Sequence, residues 1–164
     1  MAEARAAVPA LADVLLDCVA GGASVSFMAG TTRGEAEAFW AGVAEAAAKD
    51  ARAVLVAEDD EGLVGVVTVV PAGMPNQPHR ADVSKMLVHS RGRRRGTGEA
   101  LMRAAEDAGR QMGKTLMTLD TVTGEAGELL YQRCGWTRVG VIPNYALFPD
   151  GTPCATTVFY KALA

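Results

Sequence analysis

No window of this 164-residue chain approaches the roughly 18 continuous apolar residues of a membrane-spanning helix, so a transmembrane role is excluded at the outset. The opening stretch MAEARAAVPALADVLLDCVAGG has no basic start leading into a long apolar core and cleavage site, which predicts a cytoplasmic protein without a secretory leader. Cysteine is scarce: Cys18, Cys134 and Cys154 are widely spaced, odd in number and form no C-x-x-C pair. They support neither a disulfide framework nor a zinc site, and no metal is expected. Neither charge sign dominates, with 16 Lys+Arg against 19 Asp+Glu and a net charge of −3. That balance excludes a whole-surface nucleic-acid binder or a polybasic membrane binder and leaves any basic function to a local cluster. One such cluster runs from Arg91 to Arg95.

The remaining composition, 49% apolar and 21% charged, is that of an ordinary globular protein. A chain of this length buries about 70% of its unfolded surface, enough for one domain spanning residues 1–164 to fold unaided. Leu11, Val14, Leu15, Cys18 and Val19 recur at helical spacing between Pro9 and Ala20, and Gly21-Gly22 stops that helix. A second helix is predicted from Thr32 to Lys49, with Thr31 or Thr32 as N-cap, Glu35 as its capping-box partner, and Phe39, Trp40 and Val43 buried. The β-branched runs Ala53–Ala57 and Leu63–Val70 flank an acidic turn ending in Gly62 and read as an antiparallel hairpin.

After a Pro/Gly/Asn loop from Pro71 to Pro78, a third strand is predicted from Ala81 to Val88 and a helix from Gly96 to Met112. Thr115–Thr121 reads as a strand, Gly124–Cys134 as a helix, and Trp136–Val139 and Thr157–Ala162 as closing strands. That order predicts a mixed α/β sheet with helices on its faces and a ligand crevice at the strand-loop-helix unit.

The unit in question is Lys85-Met86-Leu87-Val88-His89-Ser90-Arg91-Gly92-Arg93-Arg94-Arg95-Gly96-Thr97-Gly98-Glu99. A strand delivers the chain into glycines that let backbone N–H groups approach a ligand, and a helix starts there with its positive end toward the loop. This arrangement suits a phosphate, and neighbouring arginines add charge-assisted hydrogen bonds to a pyrophosphate. It is not a Walker A loop, having no Gly-Lys-Ser/Thr, and it follows three strands where a Rossmann fingerprint opens the first βαβ unit. An RNA-binding Arg-Gly segment would need interleaved aromatics for stacking, and there are none.

The spacing Arg93-x-x-Gly96-x-Gly98, followed by a strand and then Leu130-Tyr131-x-x-x-Gly135-Trp136, resembles the R/Q-x-x-G-x-G/A signature of the GCN5-related N-acetyltransferase (GNAT) family. The resemblance spans Leu11 to Leu163, and segments such as Gly21–Met28, Arg80–Val83 and Leu119–Thr121 are most similar to tabtoxin-resistance-like acetyltransferases. It implies a mostly antiparallel central sheet flanked by helices, with a splayed-strand cleft for acetyl-CoA as acetyl donor. It further implies that Met86, Leu87 and Val88 pair with pantetheine in the manner of an added strand. Arg94, Arg95, Gly96, Thr97, Gly98 and Glu99 would cradle the pyrophosphate, with Arg93 opening the motif, and a backbone N–H near Leu87 or Val88 would polarise the thioester carbonyl. Two departures stand out: the chain begins almost directly at the first helix where many members have another strand, and Gly124 stands where an Asn often touches the cofactor.

Acetyl transfer to an amine needs a neutral nucleophile, and deprotonating an amine of pKa ~10.4 at pH 7 costs on the order of 4–5 kcal/mol. The resemblance places Asp82 and Asp120 at the opening where they would bind and deprotonate the amine, and Tyr131 where its hydroxyl would give a proton to the departing sulfur. A helix cap for Asp120, a pair with Arg80 for Asp82 and simple packing for Tyr131 are the competing readings. Phe27, Asn144 and Tyr145 lie in segments that cover the substrate in relatives. His79 and His89 read as surface residues, Cys134 as packing and Cys154 as an exposed loop residue.

The expected function is thus N-acetylation of a small primary amine: an amino acid, an amine antibiotic or a β-lactam-type toxin, which would be a resistance function. A non-catalytic acyl-CoA sensor and a protein or peptide acetyltransferase stay open, although a sensor would need none of Asp82, Asp120 and Tyr131. The Pro/Gly-rich segments Pro71–Pro78 and Ile142–Pro153 are expected to cover the site. The acceptor and the oligomeric state do not follow from the sequence, a homodimer being compatible with the resemblance, and neither nucleic acid nor membrane is expected as a partner.

Overall fold

Hydrophobic periodicity sets the frame, which a computed structural model describes for residues 5–49 and 51–163. Helix α1 (Val8–Ala20) buries Leu11, Val14, Leu15, Cys18 and Val19 on one stripe. Helix α2 (Arg33–Ala47) begins at the expected capping box: the Thr32 N–H donates to Glu35 Oε2 at 2.8 Å and the Glu35 N–H to Thr32 Oγ1 at 3.3 Å. Its Trp40 is wholly buried, whereas Phe39, expected in the buried stripe, is only half-buried and stacks edge-on against Phe27.

Strands β1 (Ala53–Asp59), β2 (Gly62–Pro71), β3 (Arg80–Val88), β4 (Leu116–Val122), β5 (Thr137–Leu147) and β6 (Pro153–Ala162) form one sheet in the order β1-β2-β3-β4-β6-β5. Every neighbouring pair is antiparallel except β3 and β4, which are parallel and joined through helix α3 (Thr97–Gln111). A short helix α4 (Ala126–Arg133) links β4 to β5. Alternate side chains of the sheet feed two cores. Val67, Val69, Ala81, Val83, Met117, Leu119 and Phe159 pack with α3 and Tyr131 of α4 on one face. Leu63, Val66 and Leu87 pack with α1 and α2 on the other.

The end of the sheet is longer than its sequence suggests. Residues expected to form a covering loop between Ile142 and Pro153 instead belong largely to β5 and β6, closed by a tight turn in which the Phe148 N–H donates to the Thr152 carbonyl at 2.8 Å. Pro143 and Asn144 hide this, because β5 is an edge strand with an irregular register between Ile142 and Ala146, where a missing donor and a positive φ (53° at Asn144) are tolerated. Cys154 consequently sits buried on β6 and not in an exposed loop.

One buried polar cluster ties the layers together. Glu106 Oε1, on α3, accepts from Trp136 Nε1 at 3.0 Å and from Lys161 Nζ, on β6, at 2.7 Å. The same ammonium donates to the Cys134 carbonyl at the end of α4, also at 2.7 Å.

Candidate active site

Parallel pairing between β3 and β4 lasts for only three residue pairs, Arg80 with Leu116, Ala81 with Met117 and Asp82 with Thr118. Beyond Asp82 the strands diverge, each held by its other neighbour, β3 by β2 and β4 by β6. The divergence opens at a bulge: two residues, Lys85 and Met86, oppose the single Val67, and Lys85 takes a left-handed φ of 50°. A cleft of about 790 Å³ results, running from the splayed strands to the loop before α3.

The far end of the cleft is built of backbone. Arg94 and Gly96 have φ of 59° and 82°, so the chain turns through two left-handed positions before α3 starts at Thr97. Gly96 is the N-cap and supplies no side-chain acceptor. The backbone N–H groups of residues 94 to 99 make no close, well-aligned hydrogen bond among the described residues, and Arg94, Gly96, Thr97, Gly98 and Glu99 line the cleft. Orphan donors at a helix start, together with the helix dipole, make an anion site. Gly98 lets the start of α3 pack close against α4 and β3: a Cβ there would stand 3.1 Å from Leu130 Cδ2 and 3.6 Å from Met86 Cε.

Of the arginines in the basic cluster, two are committed to the fold. Arg91 pairs with Asp59 and donates to the Leu63 carbonyl at 2.9 Å. Arg93 donates from Nε to the Val88 carbonyl at 3.1 Å and lies 3.8 Å from Asp17, so it braces the loop against α1. Asp17 also accepts from the Ser90 N–H at 2.7 Å and the Ser90 hydroxyl at 2.8 Å, and lies 3.6 Å from His89. His89 in turn accepts the Arg91 N–H through Nδ1, a structural cap. Arg94 and Arg95 make no side-chain hydrogen bond or ion pair among the described residues, which leaves two guanidinium groups beside the six amides. Arg94 lines the cleft; Arg95 is exposed, does not line it, and lies near enough to Asp59 to help the Arg91 hydrogen bond hold that carboxyl below its ordinary pKa.

These groups fit the pyrophosphate of acetyl-CoA: a helix start, N–H donors without a close acceptor among the described residues, and two guanidinium groups without an ion pair among them. Met86, Leu87, Val88, Thr97, Gly98 and Glu99 also line the cleft. The Val88 carbonyl is already taken by Arg93 and by the Cys18 thiol at 3.5 Å, so pairing with pantetheine would fall to the groups before it. Thr97 Oγ1 closes the loop on the Gly92 carbonyl at 2.9 Å, and Glu99 pairs with Arg103 on the helix surface.

At the splayed end, Asp120 projects from β4 into the cleft and is held through one oxygen by the Thr156 hydroxyl at 2.8 Å. Its other oxygen has no partner among the described residues. Tyr131 of α4 lies across from it, nearly buried and packed on Trp136 and Phe159, with its hydroxyl free of any protein partner among the described residues. Burial first, and then the Asp120 charge, push the Tyr131 phenol far above its ordinary pKa, so it stays protonated.

Asp82 is not brought to this cleft. Its carboxylate takes hydrogen bonds from the Arg80 guanidinium and the Thr118 hydroxyl, and Arg80 itself donates to Thr118 Oγ1 at 2.8 Å. A carboxylate engaged in this way ties the end of β3 to β4 just where pairing stops. Tyr145 lines the cleft; Asn144 lies exposed on the β5 irregularity and Phe27 packs on Phe39, neither forming the cleft wall. Gly124, where relatives of this pattern often carry Asn, has φ of 84°, and its N–H donates to Glu128 Oε2 at 2.6 Å. That bond holds the Glu128 carboxyl below its ordinary range.

Two cleft groups escaped the sequence reading. Thr156 was invisible because its partner is 36 residues away. Lys85 carried a signal: strand alternation from Ala81 and Val83 would drive residue 85 into the α3 core, and a lysine at such a place marks a bulge. Among the described residues, no cluster of His, Cys, Asp or Glu could hold a metal ion, and no helix is long and apolar enough to cross a membrane.

The family model for the acetyltransferase (GNAT) domain matches residues 50–138. Among solved structures, the fold is similar to that of a protein from Salmonella typhimurium solved with its cofactor acetyl-CoA. The TM-score is 0.81 at 19% identity over 98% of this chain and 90% of that one. It is also similar to a ribosomal-protein-alanine N-acetyltransferase from Brucella melitensis (TM-score 0.81, 21% identity, 97% and 96% coverage). An N-acetyltransferase from Staphylococcus aureus Mu50 matches with a TM-score of 0.83 at 15% identity over 98% and 94%.

Proposed function

This chain belongs to the acetyltransferase (GNAT) family, an acetyl-CoA-dependent N-acetyltransferase family, and from that premise we propose that it acetylates the primary amine of a small molecule. The observation that carries the reading is the single cleft that joins Arg94 and the helix start Gly96–Glu99, whose backbone N–H groups make no close hydrogen bond among the described residues, to Asp120 and Tyr131 at the other end. Its volume of about 790 Å³ falls in the range of roughly 300–1,000 Å³ typical of small-molecule sites.

Residues 94–99 and the guanidinium groups of Arg94 and Arg95 bind the donor's pyrophosphate, which fixes its thioester end between β3 and β4. Bound there, acetyl-CoA supplies an activated acyl group. Asp120 accepts the proton of the incoming ammonium: it lines the cleft, Thr156 fixes one of its oxygens, and the other has no partner among the described residues. This role falls to Asp120, which lines the cleft, and not to Asp82, which does not line it and whose Oδ1 is held by Arg80 and Thr118. Tyr131 donates a hydrogen bond to the departing sulfur. Its acidity is suppressed, so it stabilises the sulfur's charge as a donor, and the proton that neutralises the sulfur derives from the amine through Asp120. The cytoplasm is the setting consistent with free thiols at all three cysteines.

The test is thiol release from acetyl-CoA over a panel of small amines, with Asp120→Asn beside the natural protein. Loss of a positioned base costs about 10²- to 10⁴-fold in kcat/KM, while calorimetric affinity for acetyl-CoA is retained. Equal turnover by the variant would remove Asp120 from the mechanism. Release with peptides and with no small amine would move the acceptor class.

A further inference from the structure

The transfer chemistry leaves Lys85 unexplained. The bulge turns its side chain away from the α3 core toward the face that carries Asp120, and it lines the cleft. Its Nζ donates to Ser26 Oγ at 3.1 Å and lies 5.9 Å from the ring centre of Phe27 and 5.6 Å from that of Phe39. No carboxylate stands within ion-pair distance of it among the described residues. A hydroxyl and two ring faces thus hold a half-buried ammonium that keeps hydrogen-bond donors uncommitted. Burial pushes the Lys85 pKa down and the charge of Asp120 pushes it back, so the two groups feel one another across the opening.

A cation without a counter-ion facing a carboxylate with a free oxygen is a site of two opposite charges, and a ligand that complements both carries an amine and an anion. We infer that Lys85 is a specificity-determining residue that binds a carboxylate of the acceptor, so that the acceptors are amino acids and not simple amines or polyamines. Asp120 receives the ammonium end and Lys85 the carboxylate end. A polycationic amine would meet Lys85 as a like charge, and a neutral amine would leave it unpaired. This inference rests on the proposed acetylation of a small amine and adds the class of acceptor.

The experiment measures thiol release with α-, β- and γ-amino acids, each beside its own carboxamide and beside the amine lacking the carboxyl group, with rates referred to the neutral-amine concentration. The natural protein is expected to favour the acid of a matched pair by about 10- to 100-fold in kcat/KM, the effect of one charge-assisted hydrogen bond. Lys85→Met should collapse that preference toward one, chiefly through KM, and Lys85→Arg should restore part of it. Melting temperature and acetyl-CoA affinity show that the variants fold. Acetyl transfer by the natural protein with equal or better use of the carboxamides overturns the role of Lys85 and leaves small-amine acetylation standing; this arm needs no variant. A preference that survives in Lys85→Met also overturns it. Transfer to no small amine, with acetyl-CoA still bound, overturns both the inference and the reading beneath it.

Discussion

Substituting Gly96 by Val separates the anion cradle from the general stability of the fold. Gly96 has φ of 82° and ψ of −3° and is the N-cap of α3, and a Cβ there would meet nothing within 4 Å. The substitution therefore introduces backbone strain without a clash. A left-handed conformation costs a β-branched residue about 2 kcal/mol, which lowers the melting temperature of a protein of this size by about 4–8 °C. Relief of that strain rotates the peptide units on either side, which carry N–H groups of the cradle. Misaligning two of them forfeits about 1.5–3 kcal/mol each against a charged phosphate, or about 10²- to 10⁴-fold in affinity. Gly113 is the matched control, with φ of 69°, equally empty surroundings and a position at the other end of α3. Both Val variants should melt at similar, lower temperatures, and calorimetric titration with acetyl-CoA should show the large loss in Gly96→Val alone. Equal affinity in the two variants would refute the cradle.

Further outcomes follow from the buried groups. Glu106→Ala strands the Trp136 indole N–H and the Lys161 ammonium, and should destabilise by about 2–4 kcal/mol in a denaturant titration, the loss being partial because Lys161 keeps the Cys134 carbonyl. A change below about 1 kcal/mol would show that the cluster does not tie α3 to β6. Tyr131→Phe removes the hydroxyl from the sulfur end of the cleft and should lower kcat by about 10- to 100-fold with acetyl-CoA affinity retained. Because the phenol is held protonated, the pH profile of the natural enzyme should show no alkaline fall from Tyr131 near its ordinary value, and such a fall would contradict its protonated role.

The strand-loop-helix unit was legible because its information is local: a β-branched strand, a glycine at a left-handed position (Gly96) and an amphipathic helix lie within one stretch of chain, residues 80–111. The capping box at Thr32 and Glu35 was readable for the same reason. What escaped depends on contacts far apart in sequence. Arg93 opens the recognisable motif, yet its side chain is drawn to Asp17 of α1 and the Val88 carbonyl. Asp82 and Asp120 look equivalent as carboxylates on adjacent strands, and what distinguishes them, the Arg80 and Thr118 bonds to Asp82 and the place of Asp120 in the cleft, appears only in the fold. Pro143 and Asn144 read as loop residues because their tolerance on an edge strand depends on a pairing partner, β6, that lies further along the chain. Lys85 breaks strand alternation in a way that the bulge explains after the fact.

The most direct test of the account follows the backbone amide resonances of uniformly ¹⁵N-labelled protein during a titration with acetyl-CoA. The account predicts that the largest shifts fall on the N–H groups of residues 94–99, six neighbouring amides without a close acceptor among the described residues, and that smaller ones appear along β3 at Met86 and Leu87. Binding that leaves those six amides in place and moves others, or no binding at all, would contradict it.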